Sequence, residues 1–238
     1  MIPHTIHYCW FGKKELPPLA KKCIASWKKH FPDYKIKCWN EDNFDVNITC
    51  YTQEAYNAGM YAFVSDYARF WILYQEGGIY FDVDVEVIRP MEDLIAKGSF
   101  MGMETSSECN PGLGMAAESN SPFIGKCLKF YNHMSFIKQD GSINYDTIVK
   151  HTSDLLRLEG MKETNNIQTI AGFTLYPKEY FCPFDYVTKE MKMTPNTRSI
   201  HHYNASWVKR KHKIYAWIKR CLGEKIASFL SGISKRIK

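Results

Sequence analysis

The sequence predicts an α/β fold in which helices flank a mixed sheet, and three observations carry that prediction. Segments with strand spacing alternate with segments of helical spacing from the first residues onward, and strand-like segments then cluster in the second half. Between residues 61 and 90 an aromatic-rich helical stretch stops at Gly77-Gly78 and passes into a short apolar strand. The 238 residues suffice for one sizeable core but not for two full domains and a linker. In such a fold a ligand is expected at the carboxyl ends of the strands.

The elements follow in chain order. Residues 4–11 (HTIHYCWF) read as a buried first strand, and 16–31 as a helix opening on prolines, with Leu19, Cys23 and Trp27 at helical spacing. Residues 34–39 alternate like a second strand, and a short helix is expected over 53–58. The main helix spans 61–76, followed by strands at 79–83 and 85–88 and a turn at Pro90. Strands near 99–103 and 113–117, helices near 122–136 and 146–158, and strands near 167–175 and 198–203 complete the body.

Composition divides the chain in two. Of 31 Lys and Arg and 25 Asp and Glu, ten basic residues and one acid fall in 209–238, giving that tail +9 and residues 1–208 a balance of −3. We therefore expect a near-neutral catalytic body, 1–208, and a basic amphipathic helical tail, 209–238. No apolar run is long enough to span a bilayer. The first residues show neither a basic leader nor a small-residue cleavage site, so no signal peptide is expected and the location is expected to be cytoplasmic. The eight scattered cysteines have no zinc-ligand spacing, and they are expected to be reduced core thiols.

Asp82 and Asp84 sit where the buried strand over 79–83 ends. Desolvating such carboxylates costs several kcal/mol, roughly, per charge unless a positive group lies beside them. A divalent cation, Mn²⁺ or Mg²⁺, carrying a diphosphate supplies that charge. In a straight strand the two side chains face the same side. Asp66 and Arg69, three apart on an apolar helix, are expected to point into a pocket, where guanidinium suits a phosphate and the carboxylate suits hydroxyls. Trp10 closes the first strand and offers a stacking surface for a base or a core side chain. Near 200–207, His201 and His202 precede Ser206 and Trp207; one imidazole or the serine hydroxyl is expected to complete the Asp84 metal shell, and the Trp207 indole to donate to a phosphate. Asn110, with Gly112 and Gly114, is expected in a close-approach loop beside the ligand.

The segments IHYCWFG, SDYARFWILYQEGGIYFDVDV, TLYPKEYFCP and IHHYNASW, in this order, resemble the DXD-type glycosyltransferases of family 32. That family includes capsular and lipopolysaccharide sugar transferases. The resemblance implies a GT-A fold with a Rossmann-like mixed sheet, a divalent metal, and a nucleotide-sugar donor, UDP-sugar favoured, used with retention of configuration. It assigns Trp10 to the base, Asp66 and Arg69 to donor sugar and phosphate, Asp82 to ribose and sugar, and Asp84 to the metal. Ser206 and Trp207 match the loop over the diphosphate, and His202 is expected as a further metal ligand, with His201 as the alternative. The acceptor implied is a saccharide or lipid-linked saccharide in surface polysaccharide synthesis. Two other readings are an aspartate-nucleophile phosphatase, whose usual Thr or Val is Glu86 here, and a non-catalytic saccharide-binding module at a membrane surface.

The tail sets Ile214, Trp217, Ile218, Cys221 and Leu222 on one face among lysines and arginines, as a helix at an anionic membrane surface requires. No nucleic-acid module accompanies the charge, so no nucleic-acid partner is expected. Flotation with anionic liposomes should carry the full chain upward and leave a 1–208 truncation behind. Equal flotation of both removes the membrane role from the tail.

Overall fold

The computed structural model describes residues 1–185, 188 and 190–204. The expected tail, with Ser206 and Trp207, lies outside the described residues. In chain order the elements are β1 (Thr5–Cys9), α1 (Pro18–His30), β2 (Lys35–Trp39), α2 (Cys50–Asn57), α3 (Tyr61–Glu76), β3 (Gly78–Tyr80), β4 (Val85–Val87), α4 (Glu92–Ile95), β5 (Phe100–Gly102), β6 (Met115–Ala117), α5 (Pro122–Asn132), α6 (Ile148–Leu158), β7 (Gln168–Ile170), β8 (Phe173–Tyr176), α7 (Lys178–Phe181) and β9 (Ser199–His201). Seven strands form one mixed sheet in the order β2-β1-β3-β6-β5-β8-β7, and β4 pairs with β9 in a separate ribbon.

Strands β2, β1 and β3 run parallel; β6 is antiparallel to both β3 and β5, so β5 again points the same way as β3. The carboxyl ends of β1, β3, β5 and β8 therefore share one edge of the fold. Strand alternation divides the core. Ile6, Tyr8, Ile79, Phe100 and Ala116 face one apolar cluster with Trp27 of α1, while Tyr80, Met101 and Met115 face the other with α3 and α5. Trp27 is fully buried and its indole donates to the Val85 carbonyl at 2.8 Å, which ties α1 to the ribbon strand β4.

Helix α3 runs between the sheet and α5 and is buried on nearly every side. It stops at Gly77, whose N–H reaches the Leu73 carbonyl, and Gly77 and Gly78 both take positive φ (65° and 103°). A Cβ on Gly78 would stand 2.6 Å from the Thr5 carbonyl oxygen and 2.9 Å from His7 Nε2, so a side chain has no room there. The strand after the glycines is shorter than expected. It ends at Tyr80, and residues 82–85 form a turn closed by Val85 N–H donating to the Asp82 carbonyl (3.0 Å). Asp82 and Asp84 are thus brought together by a turn, not by the alternation of a straight strand.

His7 on β1 holds this junction. Its ring is fully buried, Nε2 lies 2.9 Å from the Gly77 carbonyl, and Trp39 Nε1 donates to Nδ1 at 3.1 Å. These partners fix the neutral tautomer with the proton on Nε2. Burial lowers the imidazole to about 4, with Glu76 and the Gly77 carbonyl opposing. Because the folded value lies below the ordinary 6.5, the unfolded chain binds the extra proton first as pH falls. The contribution of His7 is therefore complete above pH 6.5 and is lost as pH falls from 6.5 towards 4. That loss amounts to up to about 3 kcal/mol. Urea unfolding of the wild type and of His7→Gln across this window should show a steeper decline for the wild type.

Candidate active site

The edge formed by the carboxyl ends of β1, β3 and β5 gathers the charged side chains. Arg69, 3% exposed, projects from α3 beneath it. Its Nη2 donates to Asp66 Oδ1 at 2.9 Å and its Nε to the Ser65 carbonyl at 3.1 Å. Nη1 lies 3.3 Å from Asp82 Oδ1, an ion-pair distance, but is not aligned for a hydrogen bond and has no other acceptor among the described residues. The guanidinium carbon also stands 4.8 Å over the Tyr80 ring. Buried among these anions, the guanidinium remains charged: burial opposes the charge, but Asp82, Tyr80 and Asp66 raise its pKa further.

Burial raises the Asp66 carboxyl to about 7, against the pull of Arg69. Asp82 is also raised by burial, with Arg69 opposing and Asp84 adding to the rise. The Tyr80 hydroxyl donates to Asp82 Oδ1 at 3.2 Å. A loop at the start of β6 covers this group: the Asp82 N–H donates to the Gly112 carbonyl at 3.1 Å. A Cβ on Gly112 would lie 2.1 Å from Asp82 Oδ2 and 2.9 Å from Arg69 Nη1. Position 112 therefore admits glycine alone if the ion pair is to keep its place.

Asp84 is reached from the far end of the sequence. The antiparallel β4–β9 ribbon places His201 opposite Val85, and His201 Nε2 stands 3.1 Å from Asp84 Oδ1. Asp84 Oδ2 accepts the Asn204 N–H at 2.8 Å. Burial would push the Asp84 carboxyl up, yet the hydrogen bond and charge of His201, with the Asn204 N–H, hold it below its ordinary value. Burial would likewise lower His201, and the hydrogen bond and charge of Asp84, with Asp82 and Glu104, raise it instead.

One ligand atom each from Asp82, Asp84 and His201 lie within 4.8 Å of one another. Two carboxylate oxygens and an imidazole nitrogen at that spacing fit a divalent cation of the Mn²⁺ or Mg²⁺ type, with positions left for phosphate oxygens. The imidazole in this group is His201. His202, the one expected, points away and bonds Glu86 at 2.8 Å, where Lys22 also binds at 2.8 Å. Adjacent residues on a strand face opposite sides, so one residue of register decides which histidine joins Asp84.

Trp10 stands at the carboxyl end of β1, partly buried, with its indole donating to the Lys14 carbonyl at 2.6 Å. Asn110 does line the loop beside Asp82, but its side chain is engaged within the protein. Oδ1 accepts the Gly112 N–H at 2.8 Å, and Nδ2 donates to Glu104 Oε2 at 2.9 Å. Glu104 was not singled out by sequence. Its only signal is its place just beyond a short apolar strand on the ligand edge. Seven cysteines are described as free thiols, five of them buried, in line with the expected core role. Among the described residues no helix is long and apolar enough to cross a membrane.

Residues 17–101 match the family described as glycosyltransferase sugar-binding region containing DXD motif. The chain is 28% identical over 151 residues to inositol phosphoceramide mannosyltransferase 1 of Schizosaccharomyces pombe, covering 58% of this chain and 46% of that one. It is 32% identical over 106 residues to an uncharacterized glycosyltransferase of Acanthamoeba polyphaga mimivirus, covering 42% of each. The chain thus spans less than half the length of these curated relatives. Among solved structures it resembles the PaToxG glycosyltransferase, with TM-score 0.51 and 21% identity over 67% of this chain and 70% of that one. It also resembles a glycosyltransferase involved in glycosylation of the major capsid of PBCV-1, with TM-score 0.51 and 11% identity over 84% and 94%. The architecture is a GT-A fold. The matched region, residues 17–101, holds Asp66, Arg69, Asp82 and Asp84, and over it the chain is similar to DXD-type glycosyltransferases.

Gly112→Ala tests how tightly the charged group is packed. It should lower stability by about 1–3 kcal/mol, the usual range for overpacking. Urea unfolding checks this, and wild-type stability would show that the ion pair moves freely.

Proposed function

We propose that this protein transfers a sugar from a nucleotide-sugar donor, UDP-sugar favoured, to a saccharide or lipid-linked saccharide acceptor, with retention of configuration. The reading rests on one observation: three metal-type ligands, Asp82, Asp84 and His201, converge beside an Arg69 Nη1 that has no aligned acceptor among the described residues. Trp10 offers its indole face to the base, at the end of the strand next to β3. Asp66 accepts from sugar hydroxyls, fixed in orientation by Arg69 Nη2. Arg69 Nη1 donates to a phosphate oxygen and stabilises charge that grows on the departing diphosphate. Asp82 orients ribose and sugar hydroxyls and faces the cation.

Asp82, Asp84 and His201 would hold a divalent ion, which would supply Lewis-acid stabilisation to the leaving diphosphate. The Asn204 N–H and His201 keep the Asp84 carboxylate ionised and aimed at that position. The acceptor hydroxyl attacks the anomeric carbon on the face the diphosphate leaves, and its proton passes to the departing phosphate. Ser206 and Trp207 close over the diphosphate, and residues 209–238 hold the enzyme on the inner face of the membrane, near a lipid-linked acceptor.

Thermal-shift screening of UDP- and GDP-sugars with manganese should raise the melting temperature of the wild type by several degrees. Asp84→Asn should lose the manganese-dependent part of that shift and about 10²–10³-fold in turnover, the range for removing one electrostatic contact to the leaving group. Wild-type turnover by Asp84→Asn throughout a manganese titration refutes the ligand assignment.

A further inference from the structure

The strands at the site edge are about 4.8 Å apart, so the edge from β1 to β5 spans roughly 14 Å. In the reading above, the donor occupies the β1–β3 half of that edge, from Trp10 to the cation ligands. A partly buried carboxylate lies beyond them, on the β5 half. Glu104 follows the carboxyl end of β5 and is partly buried. It does not belong to the cluster of converging ligand atoms.

Its position is fixed by the loop that seats Asp82. Asn110 Nδ2 donates to Glu104 Oε2 at 2.9 Å, and Asn110 Oδ1 takes the Gly112 N–H at 2.8 Å. Gly112 in turn packs against Asp82 and Arg69 too closely for a side chain. The Tyr203 hydroxyl, 2.8 Å from Cys182 Sγ, also hydrogen-bonds the Glu104 carboxylate. A carboxylate accepts about four hydrogen bonds, so these two donors from the described residues leave capacity for a ligand. Nothing in the donor reading uses that capacity.

We propose that Glu104 binds the acceptor: its carboxylate accepts a hydrogen bond from an acceptor hydroxyl and sets the angle at which the alcohol approaches the anomeric carbon. Asn110 is the positioning residue that holds it. This deepens the transferase reading and rests on it. An orienting bond of this kind acts on acceptor capture and leaves donor capture alone, and this separates Glu104 from Asp84.

The test measures two quantities on the full chain. Calorimetry with manganese and the UDP- or GDP-sugar that gives the largest thermal shift reports donor Kd. Initial rates with glycerol and a panel of methyl hexosides as acceptor alcohols report acceptor kcat/KM. Glu104→Gln should leave donor Kd within about twofold while acceptor kcat/KM falls about 10–100-fold, the effect of one hydrogen bond to a charged group. Glu104→Asp should recover part of the loss, and Glu108→Gln on the same turn should match the wild type. Should Glu104→Gln fold poorly, Glu104→Asp alone decides, because a shortened carboxylate must raise the acceptor KM with donor Kd unchanged. Wild-type acceptor kinetics in Glu104→Gln, or a matching loss of donor affinity, overturns the inference, as does a wild type that binds donor yet transfers to none of these alcohols. A wild type that binds no nucleotide sugar instead sinks the transferase reading beneath it.

Discussion

A guanidinium held away from water sets the terms for everything around it. Arg69 is all but inaccessible and keeps its charge. The cost of that desolvation is several kcal/mol, on the order met by buried ions in general, and only close anions offset it. Asp66 on the same helix and Asp82 on the following turn supply them. The pairing constrains three separate pieces of chain. Helix α3 must stop where Asp82 can be reached, which the Gly77-Gly78 junction achieves, and that junction in turn needs the neutral imidazole of His7. The loop over Asp82 must carry a residue with no side chain at position 112.

The site therefore grades from rigid to assembled. On the α3 and β3 side Asp66 and two of the three Arg69 nitrogens are fixed by buried partners. On the Asp84 side the arrangement depends on the β4–β9 ribbon, a second small sheet fastened to the body through Trp27 and through the Lys22–Glu86–His202 contacts. The charge of Arg69 is preset by buried partners, and His201 of the ribbon completes the cluster with Asp82 and Asp84.

Much of this was legible in the chain itself. Helix α3 runs over 61–76 as its apolar density and glycine stop predict, and the alternation of strand and helix follows the expected order. Asp66, Arg69, Asp82 and Asp84 converge because charged residues in apolar surroundings have few places to go. The strand over 79–83 was read too long, since Phe81, Asp82 and Val83 keep a strand-like pattern through what is a turn. The choice between His201 and His202 was not legible, because a three-residue strand carries too little pattern to fix its register. Glu104 escaped notice for a different reason. A lone acid after a short strand has no motif, and only the sheet order brings β5 beside β6 and so towards Asp82.

The contact between Asn204 and Asp84 joins positions 120 residues apart in the chain. Closing so large a loop is entropically costly and comes after local structure has formed. On the ribosome, the seven-stranded sheet has all its strands before β9 has emerged. A nascent chain at that stage holds both aspartates but lacks the imidazole that completes the triad. The three-ligand cluster is therefore complete only once β9 has been made, after every strand of the larger sheet.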